Sequence, residues 1–130
     1  MIRPELCVGA VAVADDELLL VQRGRGPGTG RWSVPGGRVE AGETVRAAVV
    51  REVAEETGLE VRCGELLGWA ERIGPQHHFV ILDFVVTVTD GRQPVAGDDA
   101  AEARWFPLPS VPQVPLVDGL AGFLRDHGVL

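Results

Sequence analysis

Three glutamates, Glu52, Glu55 and Glu56, lie at i, i+3 and i+4 of a run, Thr44–Thr57, that holds no Gly or Pro and is rich in Ala and Glu. At about 100° per residue, that spacing predicts a helix with all three carboxylates on one face. Hard oxygen ligands gathered on a rigid element suit Mg²⁺ or Mn²⁺, with waters and a substrate phosphate completing an octahedron. Like charges at such positions destabilise a helix by about 0.2–0.5 kcal/mol per pair. No lysine is present to offset them, because all twelve basic residues are arginine, and Arg51 lies beside the cluster rather than within it. Val49, Val50, Val53 and Ala54 form a separate stripe that faces the core. Taken alone, the acidic face also reads as a solvated helix surface.

The flanking sequence decides between these readings. From Gly37 the chain runs GRVEAGETVRAAVVREVAEETGL to Leu59. Gly37, five residues, Glu43, seven residues and then Arg51-Glu52-Val53-Ala54-Glu55-Glu56-Thr57-Gly58-Leu59 fill every position of the Nudix box, so the chain resembles the Nudix hydrolases. Trp32–Gly37 (WSVPGG) resembles the family's lead-in to the box, and Arg104–Leu108 (RWFPL) its penultimate strand. The resemblance implies an α/β/α sandwich around a central mixed β-sheet and a loop–helix–loop that holds divalent metal against a pyrophosphate. It implies Glu52, Glu55 and Glu56 as catalytic, metal-binding carboxylates, with Gly37 adding a backbone carbonyl. Glu43 and Arg51 would brace the loop against the helix. The metal, Mg²⁺ or Mn²⁺, would neutralise phosphate charge and lower the pKa of a bound water.

Other residues carry weaker signals. Arg23 and Arg25 rim a glycine-rich loop, Gly24–Gly30, where arginine and backbone N–H groups suit phosphate; the alternative is a solvent-facing hairpin end. His77 and His78 are adjacent in a strand, so they point to opposite faces and cannot chelate one ion together; His78 is the candidate to reach substrate. Trp32, Trp69 and Phe79 could stack on a base, with Trp32 set forward, or fill the core. Asp98, Asp99 and Glu102 cluster before the Arg104–Phe106 strand, in a region where many family members place an extra carboxylate. Asp99 and Glu102 are the candidate general bases, and Glu52 is the alternative. Cys7 and Cys63 stand without CxxC spacing and read as buried structural thiols.

The elements that must position these groups read as follows. Leu6–Ala14 and Glu17–Gln22 form a hairpin around Asp15-Asp16. Val61–Ala70 and His77–Thr89 are strands across a turn near Gly74-Pro75, Asp90–Ala101 is loop, and Leu116–His127 is a closing helix. At 130 residues the chain is the size of one domain, 1–130. A net charge of −7 argues against a nucleic-acid platform. Asp83 interrupts the longest apolar run, Phe79–Val88, so no membrane span is expected. With no signal peptide evident, the expected location is the cytoplasm. The stripe Leu116, Leu120, Phe123 and Leu124 is for packing or a homodimer contact. The expected partner is a small nucleotide: a nucleoside diphosphate linked to a group X, such as ADP-ribose or a nucleotide sugar. A proline at position 75, sixteen residues past the box, leans toward ADP-ribose. The alternatives are a nucleoside triphosphate pyrophosphohydrolase of the pool-sanitising type and a nucleotide-binding module that does not cleave.

Overall fold

The computed structural model describes residues 2–91, 93–97 and 99–130. The chain opens with strands β1 (Glu5–Ala14) and β2 (Glu17–Arg23), joined by a tight turn in which Asp15 and Asp16 both take positive φ. Two left-handed residues match the twist of a two-residue hairpin, and Asp tolerates that conformation better than most side chains. Two short strands, β3 (Trp32–Ser33) and β4 (Gly36–Arg38), lead into helix α1 (Val45–Thr57). Long strands β5 (Glu60–Gly74) and β6 (His77–Asp90) form a ribbon, followed by β7 (Ala100–Pro107), a 3₁₀ turn (Leu108–Gln113) and helix α2 (Leu120–Asp126).

The sheet is mixed, with seven strands. β1 runs parallel to β6 and antiparallel to β4, while β5 pairs antiparallel with β6 at one edge. β2 leaves β1 at the hairpin end and carries β3 on one side and β7 on the other. α1 covers one face through Ala48, Val49 and Val53, which pack with Val8, Ala10, Leu19, Phe84 and Val86. The other face holds Val11, Leu18 and Leu20 against Leu116, Leu120, Phe123 and Leu124. The α/β sandwich around a mixed sheet is therefore present, and none of the described helices is long and apolar enough to cross a membrane.

Four local expectations change. Val50 and Ala54 are exposed; the buried side of α1 is Ala48, Val49, Val53 and Thr57. That arc is centred near Val49 and, at 100° per residue, it includes Glu52 and Glu56, so two of the three carboxylates turn inward. The closing helix begins at Leu120, because Gly119 is left-handed and Leu116 instead bridges to Trp32. β7 starts at Ala100, since its register with β2 runs from Glu17↔Pro107 to Arg23↔Ala100. β5 extends to Gly74, paired to β6 along its length with three register shifts.

Candidate active site

α1 is well defined at both ends. Thr44 Oγ1 accepts from the Ala47 N–H at 3.1 Å, which satisfies a donor the helix cannot. Gly58, at φ 72°, closes the other end, and its N–H donates to the Ala54 carbonyl. Buried Thr57 donates from Oγ1 to the Val53 carbonyl at 2.7 Å and accepts from the Leu59 N–H, fixing the helix exit.

Glu52 lies against β4. A Cβ added to Gly37 would overlap the Glu52 carboxylate, and one added to Gly36 would overlap the Val8 carbonyl. At Gly36, where the neighbour is backbone, glycine is a requirement of space; at Gly37 it lets the end of the Glu52 side chain rest against the backbone. Glu56 accepts at Oε1 from the Gly36 N–H at 2.8 Å. These contacts set two inward-facing carboxylates beside the backbone of the Gly36-Gly37 pair.

Arg51 is inside this cluster, which corrects the sequence reading. Its Nε and Nη2 donate to the two Glu43 carboxylate oxygens at 2.7 and 2.9 Å, a bidentate pair. Nη2 also donates to the Arg38 carbonyl at 3.0 Å, and Nη1 to Glu55 at 3.1 Å, with Glu52 3.5 Å away. One guanidinium thus ties the β4 end, the Glu43 turn and the carboxylate face together, and it supplies the positive charge that lysine does not. Arg51's hydrogen bonds hold the Glu43 carboxyl below its ordinary value, and Glu43 in turn pushes the guanidinium further up. The acidic face is neither fully solvated nor uncompensated.

The donor set suits a hard divalent cation: three carboxylates with a backbone pressed against one of them, and a glycine cradle that any side chain would fill. Among the described residues no three acidic, His or Cys side chains converge as they stand on one ion position. Glu55 is turned to Arg51 and Glu56 to Gly36, so cation binding would have to exchange those contacts.

The segment after β6 docks on the helix exit. Val95 N–H donates to the Thr57 carbonyl at 2.9 Å, and Gly97 N–H to the Glu56 carbonyl at 3.2 Å. The Asp99 carbonyl accepts from the Gly24 N–H, and Arg25 Nε donates to Asp99 Oδ1 at 2.6 Å. Arg25 and Asp99, read separately as phosphate contact and base, therefore meet each other at the end of α1. Asp98 lies outside the described residues. Glu102 pairs with Arg104 on β7. Arg23 Nε is committed to the Pro27 carbonyl at 2.8 Å, closing the glycine-rich loop on itself.

Two aromatic or imidazole candidates go elsewhere. Trp32 is 6% exposed and packs edge-to-face on Phe106 at 4.9 Å, so its ring is core and offers no open platform for a base. Its strand is two residues long and pinned between β2 and Leu116, which forces the ring inward. His78 sits toward the turn end of the β5–β6 ribbon, 3.2 Å from Glu71, and is not brought to the carboxylates. His77 stacks on Phe79 on the opposite face. Burial pushes both cysteine thiols up, so neither is primed as a nucleophile.

Asp83 is the residue that sequence reasoning passed over. It is 5% exposed in the middle of β6, and its Oδ1 has no hydrogen-bond partner among the described residues. Burial raises its carboxyl from 3.8 to about 6, against the opposing pull of Arg72 and His127. Between those two values the folded chain keeps a proton that the unfolded chain releases. Folding is therefore penalised increasingly as pH rises through that window, and in full above about 6. The shift corresponds to a penalty on the order of 3 kcal/mol. Asp83→Asn should raise the melting temperature at pH 8, and the gain should shrink toward zero by about pH 4. Thermal melts of both proteins across that range measure it; a gain independent of pH would show that Asp83 is not the titrating group.

A family profile described as NUDIX domain matches residues 3–127. The ADP-ribose pyrophosphatase of Methanocaldococcus jannaschii is 39% identical over 115 residues, covering 87% of this chain and 68% of that protein. The human 8-oxo-dGDP phosphatase NUDT18 is 36% identical over 99% of this chain, which spans only 38% of the human protein's length. Among solved structures, a MutT NUDIX hydrolase from Burkholderia pseudomallei superposes with a TM-score of 0.85 at 31% identity, covering 95% of this chain and 97% of that one.

Proposed function

The chain belongs to the Nudix hydrolases, and from that membership we propose that it hydrolyses the diphosphate linkage of a nucleoside diphosphate joined to a group X, with ADP-ribose the first candidate. The observation that carries the reading is the close set of Gly36-Gly37, Glu52, Glu55 and Glu56, held by Arg51 and Glu43. The relative of M. jannaschii supports ADP-ribose, because its name states that substrate and it aligns with most of this chain. The human relative, named for 8-oxo-dGDP, favours the second reading, a nucleotide pool-sanitising hydrolase.

Glu52, Glu55 and Glu56 would hold Mg²⁺ or Mn²⁺, with the Gly37 carbonyl as a further donor. Bound there, the cation would neutralise phosphate charge and acidify a water. The chain's own groups do the rest. Arg51 keeps the carboxylate face and the β4 end in fixed relation. The missing side chains at Gly36 and Gly37 let the Val8 carbonyl and the Glu52 carboxylate lie against this backbone, which keeps the carboxylates close to the β4 end. Arg25, at the rim of the glycine-rich loop, would offer a cation to the outer phosphate by exchanging its pair with Asp99. Water oxygen bonds to phosphorus, and the bridging P–O bond breaks with its electron pair leaving on the departing phosphate. The water proton passes to a carboxylate, Asp99 or Glu102 from the β7 side or Glu52 from the helix. The unit is read as one domain, 1–130, acting on a small nucleotide in the cytoplasm; the Leu116, Leu120, Phe123 and Leu124 stripe, read as packing or a homodimer contact, is taken up by packing in the chain's own core.

A panel of ADP-ribose, nucleotide sugars and normal and oxidised nucleoside triphosphates, assayed with Mg²⁺ or Mn²⁺, tests the proposal. AMP and ribose 5-phosphate are the expected products from ADP-ribose. Turnover of triphosphates alone, giving monophosphate and pyrophosphate, would select the sanitising reading, and no turnover at all would overturn both. Alanine substitution at Asp99 and at Glu102, assayed at saturating substrate, should lower kcat more than it raises KM at one of the two. Two near-wild-type kcat values would assign the base to Glu52.

A further inference from the structure

The pairing registers align four residues across the sheet: Gly36 on β4, Gly9 on β1, Asp83 on β6 and Gly68 on β5. Both cross-strand neighbours of Asp83 are thus glycine, and the row begins at the Gly36 whose N–H is held by Glu56. A Cβ on Gly9 would overlap Asp83 Oδ1, so the carboxylate leans over Gly9 in the direction of β4, on the sheet face opposite α1. Val34 borders the same spot, and on the far side the His127 ring covers Gly68 while stacking on Phe123 at 4.1 Å.

The geometry points to Asp83 as a specificity-determining residue that accepts a hydrogen bond from an exocyclic amino group on the base of the bound nucleotide. This rests on the nucleotide-hydrolase reading of the neighbouring site. Two strand spacings of about 4.8 Å place Asp83 about 10 Å from Gly36, at the base end rather than the phosphate end of a nucleotide held by its phosphates. The walls suit a flat, apolar-faced ring: a valine on one side and a stacked Phe–His pair on the other. A sugar with hydroxyls all round would leave those groups unsatisfied there.

The chemistry of the carboxylate supports a donor on the ligand. A buried oxygen with no partner is costly, and a ligand N–H that satisfies it gains the full difference. Such a site rejects an analogue that lacks the donor far more strongly than an apolar pocket rejects a missing methylene. Arg72 on β5 and His127 after α2 are the charged and titratable groups whose fields reach Asp83, and neither hydrogen-bonds it. Oδ1 is closed to solvent as well as unpartnered, so a ligand donor meets it only as the side chains around it open.

Equilibrium binding tests this without depending on turnover. Calorimetric titrations would compare AMP with purine riboside 5′-monophosphate, and GMP with IMP, each pair differing by one amino group. The wild-type chain should bind the amino-bearing member of at least one pair ten-fold tighter or more. Asp83→Leu, which removes a buried unpaired acid and should not harm folding, should bring that ratio close to one while leaving the affinity of the amino-free member within about threefold. Asp83→Asn, which keeps an acceptor of the same shape, should retain part of the preference. A wild-type ratio near one in both pairs, or a preference that survives Asp83→Leu, would overturn the assignment. Failure of the nucleotide-hydrolase reading would appear separately, as absence of cleavage in the substrate panel.

Discussion

Glu56→Gln lowers turnover by at least about 10²-fold, as does Glu55→Gln, the scale on which a key electrostatic group contributes to catalysis. Glu56 reaches inward to the Gly36 N–H, so its carboxylate stands where a diphosphate would meet the backbone. Glutamine keeps the acceptor for that N–H but removes the charge a cation needs, which isolates chemistry from architecture. Glu55 is a half-exposed partner of Arg51, and its replacement leaves that arginine bonded to Glu43 and the Arg38 carbonyl without opening a cavity. Surface changes of this kind usually move stability by less than about 0.5 kcal/mol. Steady-state kinetics with a thermal melt on each variant separates the outcomes: kcat should collapse while the melting temperature moves by only a few degrees. Near-wild-type kcat in both variants would remove the carboxylate face from the mechanism.

Chelation with EDTA abolishes hydrolysis, and added Mg²⁺ or Mn²⁺ restores it. The site concentrates Glu43, Glu52 and Glu55 around one arginine, with Glu56 beside them on Gly36, on a chain of net charge −7. A diphosphate entering that field is repelled unless cations lie between the two sets of negative charge. Raising ionic strength screens the repulsion only beyond about 8–10 Å, so monovalent salt should not substitute. Activity that persists in chelator would be incompatible with the proposed chemistry.

The strongest sequence signal was local, and local spacing is what a helix and its preceding loop convert directly into geometry. Gly37, Glu43, Arg51 and the three glutamates lie within 23 residues, and the structure gathers them through contacts at most 20 residues apart. What stayed hidden depends on partners distant in sequence. The Arg25–Asp99 pair joins residues 74 apart, and no motif links them. Trp32 reads as an aromatic near a site until Phe106 and Leu116 enclose it. Helical periodicity also misjudged α1, because Val50 and Ala54 are apolar in type but lie on its solvent side, while the glycines of β4 admit acidic side chains to the inner face. Asp83 was visible as the one acid in the apolar run Phe79–Val88. Its meaning depended on which residues flank it across β1 and β5, and only strand register supplies that.

The parallel pairing of β1 with β6 has a consequence for how the chain acquires its structure. Glu5 pairs with Phe79 and Ala12 with Val86, so the first strand has no parallel neighbour until more than half of the chain has been synthesised. Val49 and Val53 of α1 rest on Val8 and Ala10 from one end of that interval and on Phe84 and Val86 from the other. An isolated helix of thirteen residues is marginal in water, and the segment bearing the glutamates emerges from the ribosome before its platform is complete. Closing so long a loop is slow compared with forming a hairpin. The nascent chain therefore waits on β6, and a fragment ending before it would leave the acidic helix without the Phe84 and Val86 part of its surface.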